Sequence, residues 1–236
     1  MTKPLDILAF GAHPDDVEIG MAGTLAKLKE KGYRTGICNL THAEKSSNGT
    51  VEIRQKEAAT AASILELDEL IQLSLPDRGL FMKEEYITEI ISVIRTYRPR
   101  LVFAPYHEDR HPDHGNCAKL VEEAVFSSGV RMVEDDMNQK AHKPENVYFY
   151  QINGMNRPEF YIDISDQINK KESALQAYTS QFEKDKDGVD TPLTNGYVDA
   201  VISRERAYGK QIGSKYAEGF FAKGPLVLNY DLLGGI

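Results

Sequence analysis

Two short runs carry most of the chemistry that this sequence offers. Ala12-His13-Pro14-Asp15-Asp16 directly follows an apolar stretch, Leu5 to Gly11, and His111-Pro112-Asp113-His114 follows another, Leu101 to Pro105. Histidine and carboxylate at the carboxyl ends of two buried strands are what a metal site on an open α/β sheet requires. His13 and Asp16 stand three residues apart with Pro14 restricting the backbone, so both can reach one ion while Asp15 points elsewhere. His111 and His114 repeat that spacing. Asp113 between them suits the N-cap of the next helix, or a partner for a neighbouring imidazole N–H. Two imidazoles and a carboxylate with an open fourth position make a catalytic zinc pattern. Zinc lowers the pKa of bound water from about 15.7 towards roughly 7, and a spare carboxylate in reach can take the proton. Spacing alone does not say which group takes which role.

The same residues have plainer uses. An Asp-Asp pair after a strand also caps helices, or holds Mg2+, but His13 in the run selects a softer metal. Both runs falling on strand ends of one pattern is what favours catalysis. Cys117, three residues after His114, suits packing better than ligation, and His42, His107 and His142 read as loop or surface residues. Gly11, Gly20 and Gly23 do not make GxGxxG, which leaves dinucleotide binding unsupported. Arg54, behind the polar loop Ser46-Ser47-Asn48-Gly49, reads on its own as a surface arginine paired with Glu52 or Glu57.

The elements that must position these groups alternate. Strands are predicted at Leu5 to Gly11, Thr35 to Leu40, Leu70 to Leu75 and Leu101 to Pro105. Helices are predicted at Gly20 to Lys31, Val51 to Leu65 with Thr50 as N-cap, Glu84 to Tyr97, and Asp113 to Phe126. Ile87, Ile90, Ile91 and Ile94 form one apolar stripe in the third of these. Such alternation implies βαβ units: a Rossmann-like, doubly wound, mostly parallel sheet with helices on both faces. The second half reads as C-terminal additions. A polar excursion covers 130–146, strands Val147 to Ile152 and Phe160 to Ile164, helices Asp166 to Phe182 and Tyr197 to Ile212, with a loop from Glu183 to Asn195 between the helices. No repeat or linker divides residues 1–236, so a single domain is expected.

Composition narrows the partners. A net charge of −8 without a Lys/Arg cluster argues against nucleic acid and anionic membranes, leaving a small molecule. No apolar run approaches a membrane span, and Met1-Thr2-Lys3-Pro4 lacks a signal pattern. Two cysteines make no disulfide framework, so a cytoplasmic protein with reduced thiols is expected.

AHPDD after the first strand and HPDH after a later one resemble the LmbE/PIG-L family of zinc-dependent N-acetylglucosaminide deacetylases. The likeness extends through Ser47-Asn48-Gly49-Thr50 to Arg54 and Glu57, Pro76-Asp77-Arg78-Gly79-Leu80, Phe103 to His114, Thr191 to Tyr197, and Tyr216 to Phe220. The pattern is most similar to the bacillithiol-pathway branch, which deacetylates N-acetyl-α-D-glucosaminyl L-malate. The resemblance implies one Zn2+ held by His13, Asp16 and His114, with Asp15 as general base. It implies His111, oriented by Asp113, as cationic partner of the oxyanion or acid to the leaving amine, and Tyr197 on a mobile loop as a second oxyanion donor. Arg54 and Asn48 would bind substrate, and a homo-oligomer is implied. Our own addition is that Arg110 or Arg54 pairs with the malate carboxylates, because a dianion favours guanidinium. Deacetylation of N-acetylglucosamine or chitin-type oligosaccharides is the nearest alternative. A non-catalytic sugar- or nucleotide-binding module is the alternative outside enzymes.

Overall fold

The computed structural model describes residues 3–183 and 188–226. Five strands, β1 (Ile7–Gly11), β2 (Thr35–Asn39), β3 (Glu69–Gln72), β4 (Leu101–Pro105) and β5 (Asn146–Tyr150), run parallel. Between them lie α1 (Asp16–Glu30), α2 (Val51–Ile64), α3 (Glu84–Tyr97) and α4 (Pro112–Ser128). The additions are β6 (Phe160–Asp163), α5 (Ile168–Gln176), α6 (Thr179–Phe182), α7 (Tyr197–Gln211) and β7 (Ala217–Ala222). The sheet order is β3-β2-β1-β4-β5-β7-β6, with β7 antiparallel to both β5 and β6.

Alternation along β1 explains the two layers. Leu8 and Phe10 join the core under α3 and α4, where Ile90, Ile94, Leu120 and Val121 are buried. Ile7 and Ala9 face the other core, with Leu25 of α1, Ala58 of α2, Leu175 of α5 and Tyr178. The strand order turns back between β1 and β4, and a crevice opens at the carboxyl ends of strands at such a point. Both motif runs leave there.

Several boundaries differ from expectation, each for a local reason. α1 begins at Asp16 rather than Gly20, because Asp15 serves as its N-cap in the left-handed region, φ 106°. That conformation costs a non-glycine residue about 1–3 kcal/mol and turns the Asp15 side chain away from that of Asp16. The N-cap of α4 is His111, not Asp113: His111 Nδ1 accepts the backbone N–H of Asp113. The predicted helix Asp166 to Phe182 is two helices, α5 and α6. The break buries Tyr178, whose hydroxyl donates to Glu18 at 2.8 Å. Tyr197 opens α7, as the helical reading of Tyr197 to Ile212 expects and unlike the mobile loop that the resemblance implies, and its ring stacks on Phe182. β7 was not anticipated, since a strand reading Ala-Glu-Gly-Phe-Phe-Ala hides a buried glutamate in its middle. Among the described residues no helix is long and apolar enough to cross a membrane.

Candidate active site

A cleft of about 500 Å³ lies over the carboxyl ends of β1 and β4. It is lined by residues from both runs, by the loops after β2 and β3, and by residues 191–193 and Tyr197. Asp16, at the start of α1, is the hub. Its Oδ2 accepts the His13 backbone N–H at 2.9 Å and lies 3.5 Å from His13 Nδ1, while Oδ1 is 3.1 Å from His114 Nε2. His13, Asp16 and His114 therefore meet although 98 residues separate the last two in sequence.

Each of these imidazoles has a carboxylate at its outer nitrogen. His13 Nε2 is 3.2 Å from Asp77 Oδ1 and 3.7 Å from Asp113 Oδ2, and His114 Nδ1 is 2.9 Å from Asp109 Oδ1. Carboxylates so placed fix ring orientation and raise ligand basicity. Burial works against charge on both rings, yet these partners outweigh it. His13 is raised well above 6.5 by Asp113, Asp16 and Asp77, and His114 is raised to about 9, chiefly by Asp16. The site thus attracts positive charge between two inward-facing nitrogens and a carboxylate. That donor set, once the imidazoles give up their protons to it, suits zinc or a similar ion. Among the described residues the sets whose ligand atoms all lie within 4.8 Å of one another are His13, His111 and His114, and His13, Asp77 and Asp113; Asp16 belongs to neither.

Asp15 sits apart from this hub, and its Oδ2 is 3.2 Å from an Arg54 guanidinium nitrogen that also donates to the Pro14 carbonyl. Burial raises the Asp15 carboxyl to about 6, with Arg54 opposing the rise and Asp16 adding to it. Arg54 is itself buried beneath the cleft, stacked 5.6 Å from the Tyr178 ring centre, so it is not the surface arginine its sequence context suggests. Glu57, its expected partner, instead holds Thr179 and Ser180 at the start of α6.

Other groups were placed less well by sequence. Asp113 does not orient His111 with its carboxylate, which accepts the Arg78 backbone N–H at 2.7 Å and faces His13. His111 is pushed down to about 4 by burial and by the neighbouring His13 and His114, which works against the cationic role that the resemblance implies. With Nδ1 accepting from Asp113 N–H, its proton lies on Nε2. Tyr197 lines the cleft, its hydroxyl bonded to Asn153 Oδ1 at 2.9 Å and Ile152 O at 3.3 Å. Asn48 lines the cleft too, but its amide is engaged on both sides by the Val189 backbone, at 2.9 and 2.8 Å. Arg110 is exposed at the rim with Lys45 and Arg78, and these three side chains form no hydrogen bond or salt bridge among the described residues. Asp77 and Asp109 were missed as partners of the imidazoles. The available signal was an acid at the carboxyl end of a strand, in Pro76-Asp77-Arg78-Gly79 and His107-Glu108-Asp109-Arg110.

The family model of PIG-L, the GlcNAc-PI de-N-acetylases, matches residues 8–125, the half of the chain that builds this cleft from β1 to α4. The chain belongs to the PIG-L family. It is 30% identical to the diacetylchitobiose deacetylase of Thermococcus kodakarensis over 226 residues, covering 90% of this chain and 81% of that protein. It is 25% identical to a probable N-acetyl-α-D-glucosaminyl L-malate deacetylase 2 of Bacillus subtilis, covering 75% and 83%. The crystal structure of a conserved protein from Thermus thermophilus superposes with a TM-score of 0.86 at 38% identity, covering 95% and 97%. As a PIG-L protein the chain is an N-deacetylase, and its mostly parallel α/β sheet is the fold of that family.

Proposed function

We propose that this N-deacetylase removes the acetyl group of N-acetyl-α-D-glucosaminyl L-malate, in bacillithiol biosynthesis, with zinc as its metal. The observation that carries the reading is a buried carboxylate, Asp15, held by Arg54 beside the hub of His13, Asp16 and His114 rather than within it. Those three would hold the ion. When bound, zinc supplies a Lewis acid for the amide carbonyl and lowers the pKa of water beside it. Asp15, at about 6, is basic enough to take a proton from attacking water near neutral pH and acidic enough to release it again. His111 offers its Nε2–H to the carbonyl oxygen as negative charge develops, and Tyr197, turning its hydroxyl away from Asn153 Oδ1, serves as a second donor. Asp113 and Asp77 steady His13. Arg54 holds Asp15 in place, and Asn48 anchors residue 189 of the loop bordering the sugar.

The free cations of the rim favour the malyl aglycone over a neutral one. Arg110, with Lys45 and Arg78, is placed for carboxylates that a chitin-type sugar lacks. The second reading, diacetylchitobiose, is favoured by the higher identity to the Thermococcus kodakarensis deacetylase. Residues 1–236 acting as one domain, in the cytoplasm and as a homo-oligomer, belong to the proposal and rest on the family resemblance. Acetate release by the zinc-loaded protein decides between substrates. We expect kcat/KM at least about tenfold higher on the malyl glycoside than on N-acetylglucosamine or diacetylchitobiose, the size of one charge-assisted contact. A preference for diacetylchitobiose would remove the malate reading, and no acetate from any of the three would remove zinc-dependent deacetylation of these sugars.

A further inference from the structure

α1 is broken in the middle, at Met21 (φ −151°, ψ 20°). In an unbroken helix the Gly23 N–H would bond the Ile19 carbonyl four residues back. Here the two are taken by different partners. The Ile19 carbonyl accepts Lys171 Nζ at 2.8 Å and Arg204 at 3.1 Å, while Gly23 and Thr24 N–H donate to the two Glu218 oxygens at 2.9 and 2.7 Å. Lys171 also bonds Glu218 and Glu205, and Arg204 bonds Glu205. Two cations and two anions thus balance, and their exposures are 0% for Lys171, 0% for Glu218, 1% for Glu205 and 8% for Arg204.

The network reaches the cleft through Arg204. One guanidinium nitrogen holds Ile19, on the same half-helix as Asp16, and the other donates to the Ile152 carbonyl at 2.7 Å. Ile152 O is also a partner of the Tyr197 hydroxyl, and Ile19, Ile152 and Tyr197 all line the cleft. Arg204 itself sits on α7, two turns after Tyr197. A fold that needed only a straight α1 would satisfy the Ile19–Gly23 pair within the helix. Splitting that pair lets groups from α5, α7 and β7 set where the Asp16 half of α1 lies.

We propose that Arg204 is a positioning residue for the deacetylation read above: it spans Ile19 and Ile152 and so fixes Asp16 relative to Tyr197. A displacement of about 1 Å at a reacting centre costs on the order of 100-fold in rate. In Arg204→Ala of the full chain, kcat should fall about 10- to 100-fold while KM changes little. The Gly23 and Thr24 amides should exchange faster with deuterium than in the parent protein, while α3 amides keep their protection. Arg204 borders a solvent-open groove with Ala200, Ser203 and Ala207, so the hole left by truncation is reachable. Millimolar guanidinium, far below denaturing concentrations, should then restore part of kcat. Arg204→Lys keeps the charge against Glu205 but cannot bridge both carbonyls, and it serves if the alanine variant does not fold. Its kcat should fall in the same direction, and by more than any accompanying drop in Tm accounts for at an assay temperature well below both midpoints. Either folded variant keeping parental kcat and parental amide exchange overturns the proposal. So does a loss of activity that only tracks Tm and ignores guanidinium. The parent protein is assayed in parallel on the same glycoside. Silence there overturns the choice of that glycoside as substrate, and the exchange measurement then still reports on Arg204.

Discussion

Replacing Asp109 by asparagine tests how much the hub depends on a residue outside it. Three N–H groups donate to this carboxylate, and an imidazole nitrogen lies beside it. Oδ1 faces His114 Nδ1 at 2.9 Å, the His111 backbone N–H at 2.8 Å and Asn153 Nδ2 at 2.9 Å, and Oδ2 accepts the Asn153 N–H at 3.0 Å. An amide oxygen would keep the busier position, so the new NH2 must point at the Asn153 N–H, leaving it unsatisfied at about 1–3 kcal/mol. His114 meanwhile loses the negative charge that makes its inner nitrogen a strong ligand. Loss of such a partner lowers metal affinity about 10- to 100-fold, or roughly 1.4–2.7 kcal/mol. Competition between the variant and a chromogenic chelator for Zn2+ measures this directly. Activity should recover as zinc is raised, though not fully, because Asn153 also holds Tyr197. A zinc Kd within about twofold of the parent, in a folded Asp109→Asn protein, would refute the assignment of His114 as a ligand steadied by Asp109.

Asp15→Asn should lower acetate release by about 10²–10⁴ with zinc content unchanged, and near-parental turnover would remove Asp15 as base. Arg54→Met takes away the cation that opposes the burial-driven rise of Asp15. The carboxyl then climbs above about 6, the deprotonated base is lost at a higher pH, and the acid limb of kcat/KM moves up. An acid limb that stays in place would contradict the pairing. Gly20→Ala sits inside a helix, where alanine ordinarily stabilises by about 1 kcal/mol. Its added Cβ would fall 2.0 Å from Tyr150 Cδ2, so we expect instead a loss of about 1–3 kcal/mol and a Tm lower by roughly 2–12 °C in thermal unfolding. A higher Tm would show that Tyr150 can move aside.

What could be read from the sequence was local. Alternation and helical spacing gave β1 to β4 and α2 to α4 nearly to their ends, because each is decided by residues within one element. The two runs at strand ends could be brought to one crevice, because the strand order of such sheets is restricted, while the choice of His13, Asp16 and His114 among them came from the family resemblance. Features decided by distant partners were not legible. Arg54 looked like a surface arginine because its anion, Asp15, comes from another loop. Asp113 and His111 exchanged capping roles over two residues, a choice made by the Arg78 backbone from a third loop. Glu218 disguised β7 as polar chain because its cation, Lys171, lies 47 residues earlier.

Glu218 also bears on how such a molecule is made. The amide it caps, Gly23, precedes it by 195 residues, and it belongs to the last strand described. A ribosome adding about 5–20 residues per second reaches this glutamate roughly 10–40 s after the glycine. During that interval the nascent chain can pair β1 with β2 and β4, yet the helix bearing Asp16 lacks its clasp. The geometry around Asp16 therefore waits on a glutamate made long after the helix itself, and a product terminated before that glutamate would hold the parallel strands without the clasp.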